Sequence, residues 1–407
     1  MLEVKTVDQV FQIIKGNFSG YGLKNERVNI KNGLGRITAV DILPCEDIPG
    51  FNRSSVDGYA VISSDTFGAS EAIPAQLEYA GEVRMGVKPD FPIVMGHTVY
   101  VPTGGELPEG ADSVIMVEYT EDYNDGYIYM NKASAPGNNV VFAGDDVKKG
   151  SVVIKAGTRL RPQDIGALAA MGYSEIEVKK KIKVAVISTG DEVVDIDQKV
   201  EGSKVRDVNS YALYSGVLAC GAEPLLYGIV GDNFDRIKQV VEKAAAECDV
   251  VLISGGSSVG NKDETFNVIN TLGAPGVLVH GIAVKPGKPT IIGKAHGKAI
   301  IGLPGHPASA YVIFKIFVSQ LLEIMNGIDG ELHNMTMATM AYNYPSNNGR
   351  EEFLPVRLEK VDGISSAVPV LGKSGLITLL TQANGLVHIA RGSEGLMKGQ
   401  KVLVRVF

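Results

Sequence analysis

Between residues 182 and 325, short apolar runs alternate with segments of helical periodicity, and the runs end in glycine or polar residues. Val184-Ala185-Val186-Ile187 leads into Ser188-Thr189-Gly190-Asp191-Glu192. The run within Pro224 to Val230 leads into Gly231-Asp232-Asn233. Val250-Val251-Leu252-Ile253 leads into a glycine-rich stretch from Ser254 to Asp263, and Ile300-Ile301-Gly302-Leu303 into Pro304-Gly305-His306-Pro307. Strands apolar on both faces belong to sheets covered on both sides. Helices are predicted over Asn209 to Ala219, over the Ile237, Val240, Val241, Ala244, Cys248 spacing and over Glu264 to Leu272. Another starts at Pro307 and runs through Tyr311, Phe314 and Phe317 to Met325. The pattern predicts a doubly wound α/β domain of about 150 residues.

Such sheets bind ligands at the carboxyl ends of their strands. The turn Ser254-Gly255-Gly256-Ser257-Ser258-Val259-Gly260 between strand and helix is the arrangement that gathers N–H groups around an anion. Gly255, Gly256 and Gly260 allow close backbone approach. Asp263 then places a carboxylate where phosphate is expected, which is repulsive unless a metal or donor lies between. The pair points to a nucleotide or phosphorylated cofactor with a divalent cation; the plainer alternative is a tight turn with Asp263 as helix cap. The shared edge of Asp191, Glu192, Asp232, Asp263 and Pro304 favours the ligand reading. Lys285 and Lys288 in Lys285-Pro286-Gly287-Lys288-Pro289 offer ammonium groups to an oxyanion, or form a polar hairpin turn. His306 reads as a helix cap or polar filler.

Elsewhere, Thr6 caps a helix with Val7, Val10, Phe11 and Ile14 on one face. Residues 70–130 alternate short apolar runs with turns, an all-β pattern, with a hairpin turn at Asn124-Asp125-Gly126. Asn52 to Asp57 is a polar loop before the strand Tyr59-Ala60-Val61-Ile62, which reads as a well-capped turn before it reads as a ligand contact; Thr103 follows the strand Val99-Tyr100-Val101 and binds phosphate or caps the turn. Asp145-Asp146 reads as a solvated turn. Pro162 to Met171 is a short helix with Ile165, Leu168 and Ala169 inward. Beyond Gly330, short strands at Met335–Ala341, Glu352–Leu358, Leu386–Ala390 and Lys401–Phe407 suggest a small β-barrel or sandwich.

The net charge of −7 argues against a broad nucleic-acid surface. Cys45, Cys220 and Cys248 show no zinc spacing and read as small buried residues of a reducing compartment. With six His and three Cys, a soft transition-metal cage is unsupported. The first ten residues do not read as a signal peptide, and no run approaches 18 apolar residues, so a cytoplasmic protein without a membrane span is expected.

Taken together, the motifs resemble those of the MoeA-type molybdopterin molybdenumtransferases, to which the gephyrin E domain belongs. Asn52-Arg53-Ser54-Ser55-Val56-Asp57-Gly58-Tyr59-Ala60 is similar to that family's SAMDGYA signature. Pro102-Thr103-Gly104-Gly105 with Leu107-Pro108-Glu109-Gly110-Ala111-Asp112 is similar to its TGxxLPEGAD stretch. The Ser188–Glu192, Ser254–Asp263, Lys285–Pro289 and Gly302–Pro307 segments resemble its STGDE, SGGxSxGxxD, KPGKP and GLPGNP motifs, in the same order. Val56 stands where the family usually has Met, His306 where Asn is usual, and Ser257 replaces a common Val. Gly281 stands where some members carry a second lysine.

The resemblance implies a homodimer of four-part subunits. The corresponding parts are residues 1–44 with 141–180, an inserted β-rich domain at 45–140, the α/β molybdopterin-binding domain at 181–329 and a C-terminal β-barrel at 330–407. It implies insertion of molybdate into the dithiolene of adenylylated molybdopterin with release of AMP, assisted by Mg²⁺. The implied catalytic residues are Asp57, Thr103, Glu192, Asp263 and Lys285, with Glu192 and Asp263 as metal ligands. Asp57 and Thr103 would face the partner's α/β domain. Ser188, Thr189, Gly190, Asp232, Ser254, Gly255, Gly256, Ser258, Gly260, Lys288, Pro304 and Pro307 would hold the pterin nucleotide, with Lys288 or Arg53 at the molybdate. Alternatives are a molybdopterin adenylyltransferase, against which the Asp57 loop and the two β-domains argue, and a non-catalytic scaffold of the same fold.

Overall fold

The computed structural model describes residues 4–255, 264–328, 335–346, 349–361 and 363–407. The chain divides into two compact units. One comprises residues 27–34 with 38–177; the other comprises 1–26, 35–37 and 178–407.

The first unit carries a six-stranded sheet in the order Ser113–Met116, Gly58–Val61, His97–Val101, Ala75–Glu82, Tyr127–Met130, Thr120–Asp122. The hairpin at residues 122–127 turns through Asn124 and Gly126, both at positive φ, as the sequence predicts. The expected short helix spans Pro162–Ala170, but its inward side differs. Leu168 is buried and Ile165 half-buried, while Ala169 is exposed. Asp164 is buried instead, because it accepts hydrogen bonds from the Arg161 N–H at 2.8 Å and the Arg161 guanidinium at 2.9 Å. A strand at Glu175–Lys179, not foreseen, pairs with Asn25–Asn29.

The second unit begins with α1 (Val7–Phe18), closed by a capping box in which Thr6 and Gln9 exchange side-chain and backbone bonds. Its buried face is Val7, Val10, Ile14 and Phe18, and Phe11 packs on Phe317. The α/β portion follows as β1 (Lys183–Thr189), α2 (Asn209–Ala219), β2 (Glu223–Val230), α3 (Phe234–Glu247), β3 (Val250–Ser254), α4 (Glu264–Thr271), β4 (Pro275–His280), β5 (Val284–Lys285), β6 (Ile291–Ala295) and β7 (Lys298–Leu303). The sheet order is β2-β1-β3-β7-β6-β4. The first four strands are parallel, while β6 and β4 add an antiparallel edge that the sequence pattern did not announce. Strand parity sorts the core. Val184, Val186, Val250 and Leu252 pack with α1, α2 and the last long helix. Ala185, Ile187, Val251 and Ile253 pack under α3 and α4. Both faces are therefore covered, and the strands read as unbroken apolar runs.

That long helix runs through α5 (Pro307–Ile313), a π-helical stretch at Phe314–Val318 and α6 (Ser319–Met325). Phe314 seats against Gly216 of α2, where an added Cβ would lie 2.7 Å from the ring. The helix is long and apolar enough to cross a membrane, but most of it is buried inside the protein. It is a core helix.

Past residue 334 come β8 (Met335–Met340), β9 (Glu351–Val361), β10 (Ile364–Pro369), β11 (Gly385–Ile389) and β12 (Lys401–Val406). They close in the order β9-β10-β8-β12-β11-β9, a five-stranded barrel around Leu354, Val356, Val387 and Val404. β5 joins it in parallel through β9. Of the three cysteines only Cys248 is buried; Cys220 is half-buried and Cys45, contrary to expectation, exposed, because it lies on an irregular surface loop.

A polar triad ties the N-terminal segment to the sheet. Asp249 accepts from the Tyr21 hydroxyl at 2.7 Å, the Lys183 N–H at 2.9 Å and the Lys298 ammonium at 3.1 Å. Burial alone would raise the Asp249 carboxyl, but these donors outweigh it and hold it below the usual range. Its stabilisation is therefore present at neutral pH and lost as pH falls through the lowered value. Asp249→Asn should cost about 1–3 kcal/mol at pH 7, a deficit that shrinks in acid. Urea titrations at pH 7 and pH 3.5 check this; an equal deficit at both would refute it.

Candidate functional site

A cavity of about 990 Å³ opens at the carboxyl edge of the sheet, wholly within the second unit. Parallel strands place their carboxyl ends together, so residues distant in sequence converge there. Ser188, Thr189 and Gly190 at the end of β1, then Glu192, line it. Ser254 and Gly255 come from the end of β3, Asp232 from the end of β2, and Pro304 and Pro307 from the turn after β7. Lys285 and Lys288 come from the proline-fixed strap. Eleven of the sequence-predicted positions thus share one wall system. Gly256, Ser258, Gly260 and Asp263 lie outside the described residues.

The β1–β2 edge is acidic. The Asp232 N–H donates to Asp191 Oδ1 at 3.1 Å, bringing two carboxylates beside Glu192. Partial burial, then the charges of Asp191 and Glu192, push the Asp232 carboxyl above its usual value. Among the described residues no group of three His, Cys, Asp or Glu forms a metal cage. Hard carboxylate oxygens nevertheless suit Mg²⁺, which takes one or two carboxylates and completes its shell with water and phosphate. Ser254 Oγ and Asn209 Oδ1 are buried at this wall with no protein partner among the described residues.

Another part of the lining is cationic. Lys285, Lys288 and Arg350 line it. Lys285 Nζ lies 2.8 Å from Glu352 Oε1, a carboxylate buried in the barrel. Burial alone would raise Glu352, but the donors Lys285, Ser346 and Tyr344 hold it below the usual range. His306 stands at the N-cap position of α5 without capping it; its Nδ1 lies 2.9 Å from Ser374 Oγ, and both line the cavity.

Arg350, Glu352, Tyr344 and Ser374 were not anticipated from sequence. A signal existed for one of them: Glu352, Leu354 and Val356 fall on the same side of a period-two strand and all three are buried. A carboxylate in register with a core face is the kind of exception that marks a site.

Asp57 and Thr103 sit in the first unit. The Thr103 N–H donates to Asp57 Oδ1 at 2.8 Å, although the residues are 46 apart. Their two loops are laced together, with the Gly104 N–H on Ser54 O at 2.8 Å and the Leu107 N–H on Asn52 O at 2.9 Å. Asp112 accepts from the Ser63 N–H at 2.6 Å and its hydroxyl at 2.7 Å, which fixes the far end. The two sequence motifs are thus one loop pair. Asp145 accepts from the Phe142 N–H at 2.7 Å, so the exposed Asp145-Asp146 segment is a turn, as expected.

Comparison with known proteins matches three regions in order. Residues 5–172 match the MoeA N-terminal region (domain I and II), 185–323 a "probable molybdopterin binding domain", and 337–407 the MoeA C-terminal region (domain IV). A molybdopterin molybdenumtransferase of Bacillus subtilis is 30% identical over 412 residues, covering 99% of this chain and 95% of that protein. The chain belongs to the MoeA family. A family member from Nostoc, also called molybdopterin molybdenumtransferase, is 31% identical over 93% of this chain and 88% of its own length. The solved structure of a molybdopterin biosynthesis MoeA protein from Pyrococcus horikoshii covers 100% of both chains at a TM-score of 0.87 and 33% identity.

Proposed function

We propose that this MoeA-family chain is a molybdopterin molybdenumtransferase: it takes adenylylated molybdopterin and molybdate, inserts molybdenum into the dithiolene and releases AMP. The observation that carries the reading is the convergence of eleven motif positions on one cavity with an acidic and a cationic wall. Such a cavity suits a substrate that carries phosphates and a co-substrate that is itself an oxyanion.

In balance, one oxygen of molybdate leaves with the two thiol protons as water as two Mo–S bonds form. One water cleaves the phosphoanhydride to give AMP and the pterin phosphate. Ser188, Thr189 and Gly190, with the Ser254–Gly260 loop, hold the pterin nucleotide, and Pro304 and Pro307 shape the wall. Glu192 with Asp263 would hold Mg²⁺, which would neutralise phosphate charge there. Asp232 orients the nucleotide at the same edge. Lys285 binds phosphate, and Lys288 with Arg350 receives molybdate, a tetrahedral dianion.

The four-part domain division, the homodimer and a cytoplasmic location belong to the same proposal. Asp57 and Thr103 of each subunit act on the partner's α/β domain.

The test is AMP release from adenylylated molybdopterin with Mg²⁺, with and without micromolar molybdate. Molybdate-dependent release is expected. Release indifferent to molybdate would leave a phosphoanhydride hydrolase, ATP consumption without molybdate an adenylyltransferase, and no release a scaffold.

A further inference from the structure

Glu352 is only 4% exposed, yet it stands at the wall of the cavity. Its carboxylate accepts three hydrogen bonds: from Lys285 Nζ at 2.8 Å, the Tyr344 hydroxyl at 2.7 Å and the Ser346 hydroxyl at 2.5 Å. All three partners donate, so the site suits an acceptor-only group. The backbone sets the same pairing. β5 runs parallel to β9 with Lys285 opposite Glu352, and the Glu351 N–H donates to Ala283 O at 2.9 Å. The Lys285 side chain is 44% exposed. Its ammonium carries three N–H bonds, of which, among the described residues, one is committed to Glu352 and two are left for the cavity.

We infer that Glu352 is a positioning residue of this enzyme: from the barrel it fixes the Lys285 ammonium on its flexible stem, so that the free N–H bonds point at a substrate oxyanion. A buried ion pair is poor value as a barrel stabiliser, because an apolar side chain of similar volume does as well or better. Its distinctive effect here is on Lys285, which without a fixed partner would spread over many rotamers in solvent. Phosphate or molybdate oxygens then meet a preset donor, and little ordering remains for the reaction itself. The inference rests on the proposed function, and it makes the barrel part of the site.

The test is a double-mutant cycle on Glu352→Gln and Lys285→Ala, with kcat and KM for adenylylated molybdopterin and molybdate. Gln keeps Oε1 as acceptor for Tyr344 and Lys285, removes the charge and puts a donating amide where Oε2 accepts from the Ser346 hydroxyl, which can turn to accept in its place. Glu352→Gln should lower kcat about tenfold or more with KM changed less than threefold, and should add nothing on the Lys285→Ala background. In parallel, reductive ¹³C-methylation of the lysines reports the mobility of the Lys285 amine by NMR without substrate, its signal assigned by its loss in Lys285→Ala. It should be restrained in the unsubstituted protein and motionally averaged in Glu352→Gln. Unchanged kcat in Glu352→Gln, an equal loss on both backgrounds, or an equally restrained Lys285 in both proteins would overturn the inference. An unsubstituted protein that releases no AMP, yet shows Lys285 restrained through Glu352, would overturn the proposed function and leave the pairing intact.

Discussion

Glu192→Gln should leave the protein as stable as before and reduce molybdate-dependent AMP release about a hundredfold or more, the scale seen when one charged or donor group is removed from an electrostatic site. The structural half follows from exposure: Glu192 projects into the cavity from a loop after β1, and its loss opens no void in the core. The charge half follows from crowding. Asp191, Glu192 and Asp232 gather at one edge, and Asp232 is pushed up by partial burial and by its two neighbours. A carboxyl raised in the native state favours the protonated form, so its effect on stability worsens as pH climbs above the ordinary carboxylate range. Asp232→Asn should accordingly be more stable than the unsubstituted protein at pH 7, with the gap closing in acid. Thermal unfolding at pH 7 and pH 4, beside AMP release at saturating Mg²⁺, checks both variants. Full turnover in Glu192→Gln would remove that residue from the mechanism, and a destabilised Asp232→Asn would contradict the crowding argument.

Gly255→Ala should fail for a different reason. Gly255 has φ +100°, a conformation that L side chains rarely adopt, and a Cβ there would fall 2.2 Å from Thr189 O and 2.8 Å from Thr189 Oγ1. Backbone strain at such a position costs about 1–3 kcal/mol, and overpacking about 1–3 kcal/mol more. Neither contact has room to yield, since Thr189 ends β1, a strand paired on both sides, and the Gly255 N–H is also bonded to Leu303 O at 3.3 Å. The expected result is a loss of about 2–6 kcal/mol in guanidinium denaturation of the 178–407 transition. If the turn shifts to relieve the clash, turnover is lost in its place. A variant that keeps both its stability and its turnover would show that the close approach of β1 and β3 is dispensable.

The α/β portion was legible because burial on both faces writes itself as continuous apolar strands, and each helix kept its own period. What escaped was the antiparallel edge. The runs at Pro275–His280 and Ile291–Ala295 are short, and their pairing depends on neighbours rather than on local pattern. The C-terminal barrel was expected from the resemblance, while its strand pattern alone left barrel and sandwich open, because β10 went unseen and its parallel partner β8 is distant in sequence. At the site, residues after the strand ends could be found, since topology puts them at one edge. Glu352 could not be found that way. Its role depends on which lysine lies across from it, and strand pairing between β5 and β9 is invisible to a reading of either segment alone. The lacing of the Asp57 and Thr103 loops escaped for the same reason.

The barrel closes on itself, and among the described pairings its one added strand is β5, which the chain supplies from the α/β portion between β4 and β6. The cavity therefore has two owners. The sheet supplies the carboxylates and the glycine turns, and the barrel supplies Arg350, Glu352 and Ser374. On the proposed roles, a change at Arg350 or Ser374 would retune the grip on molybdate, while the sheet-borne turns that hold the nucleotide would stay untouched. The architecture separates two selectivities that a single-domain pocket would have to trade against each other.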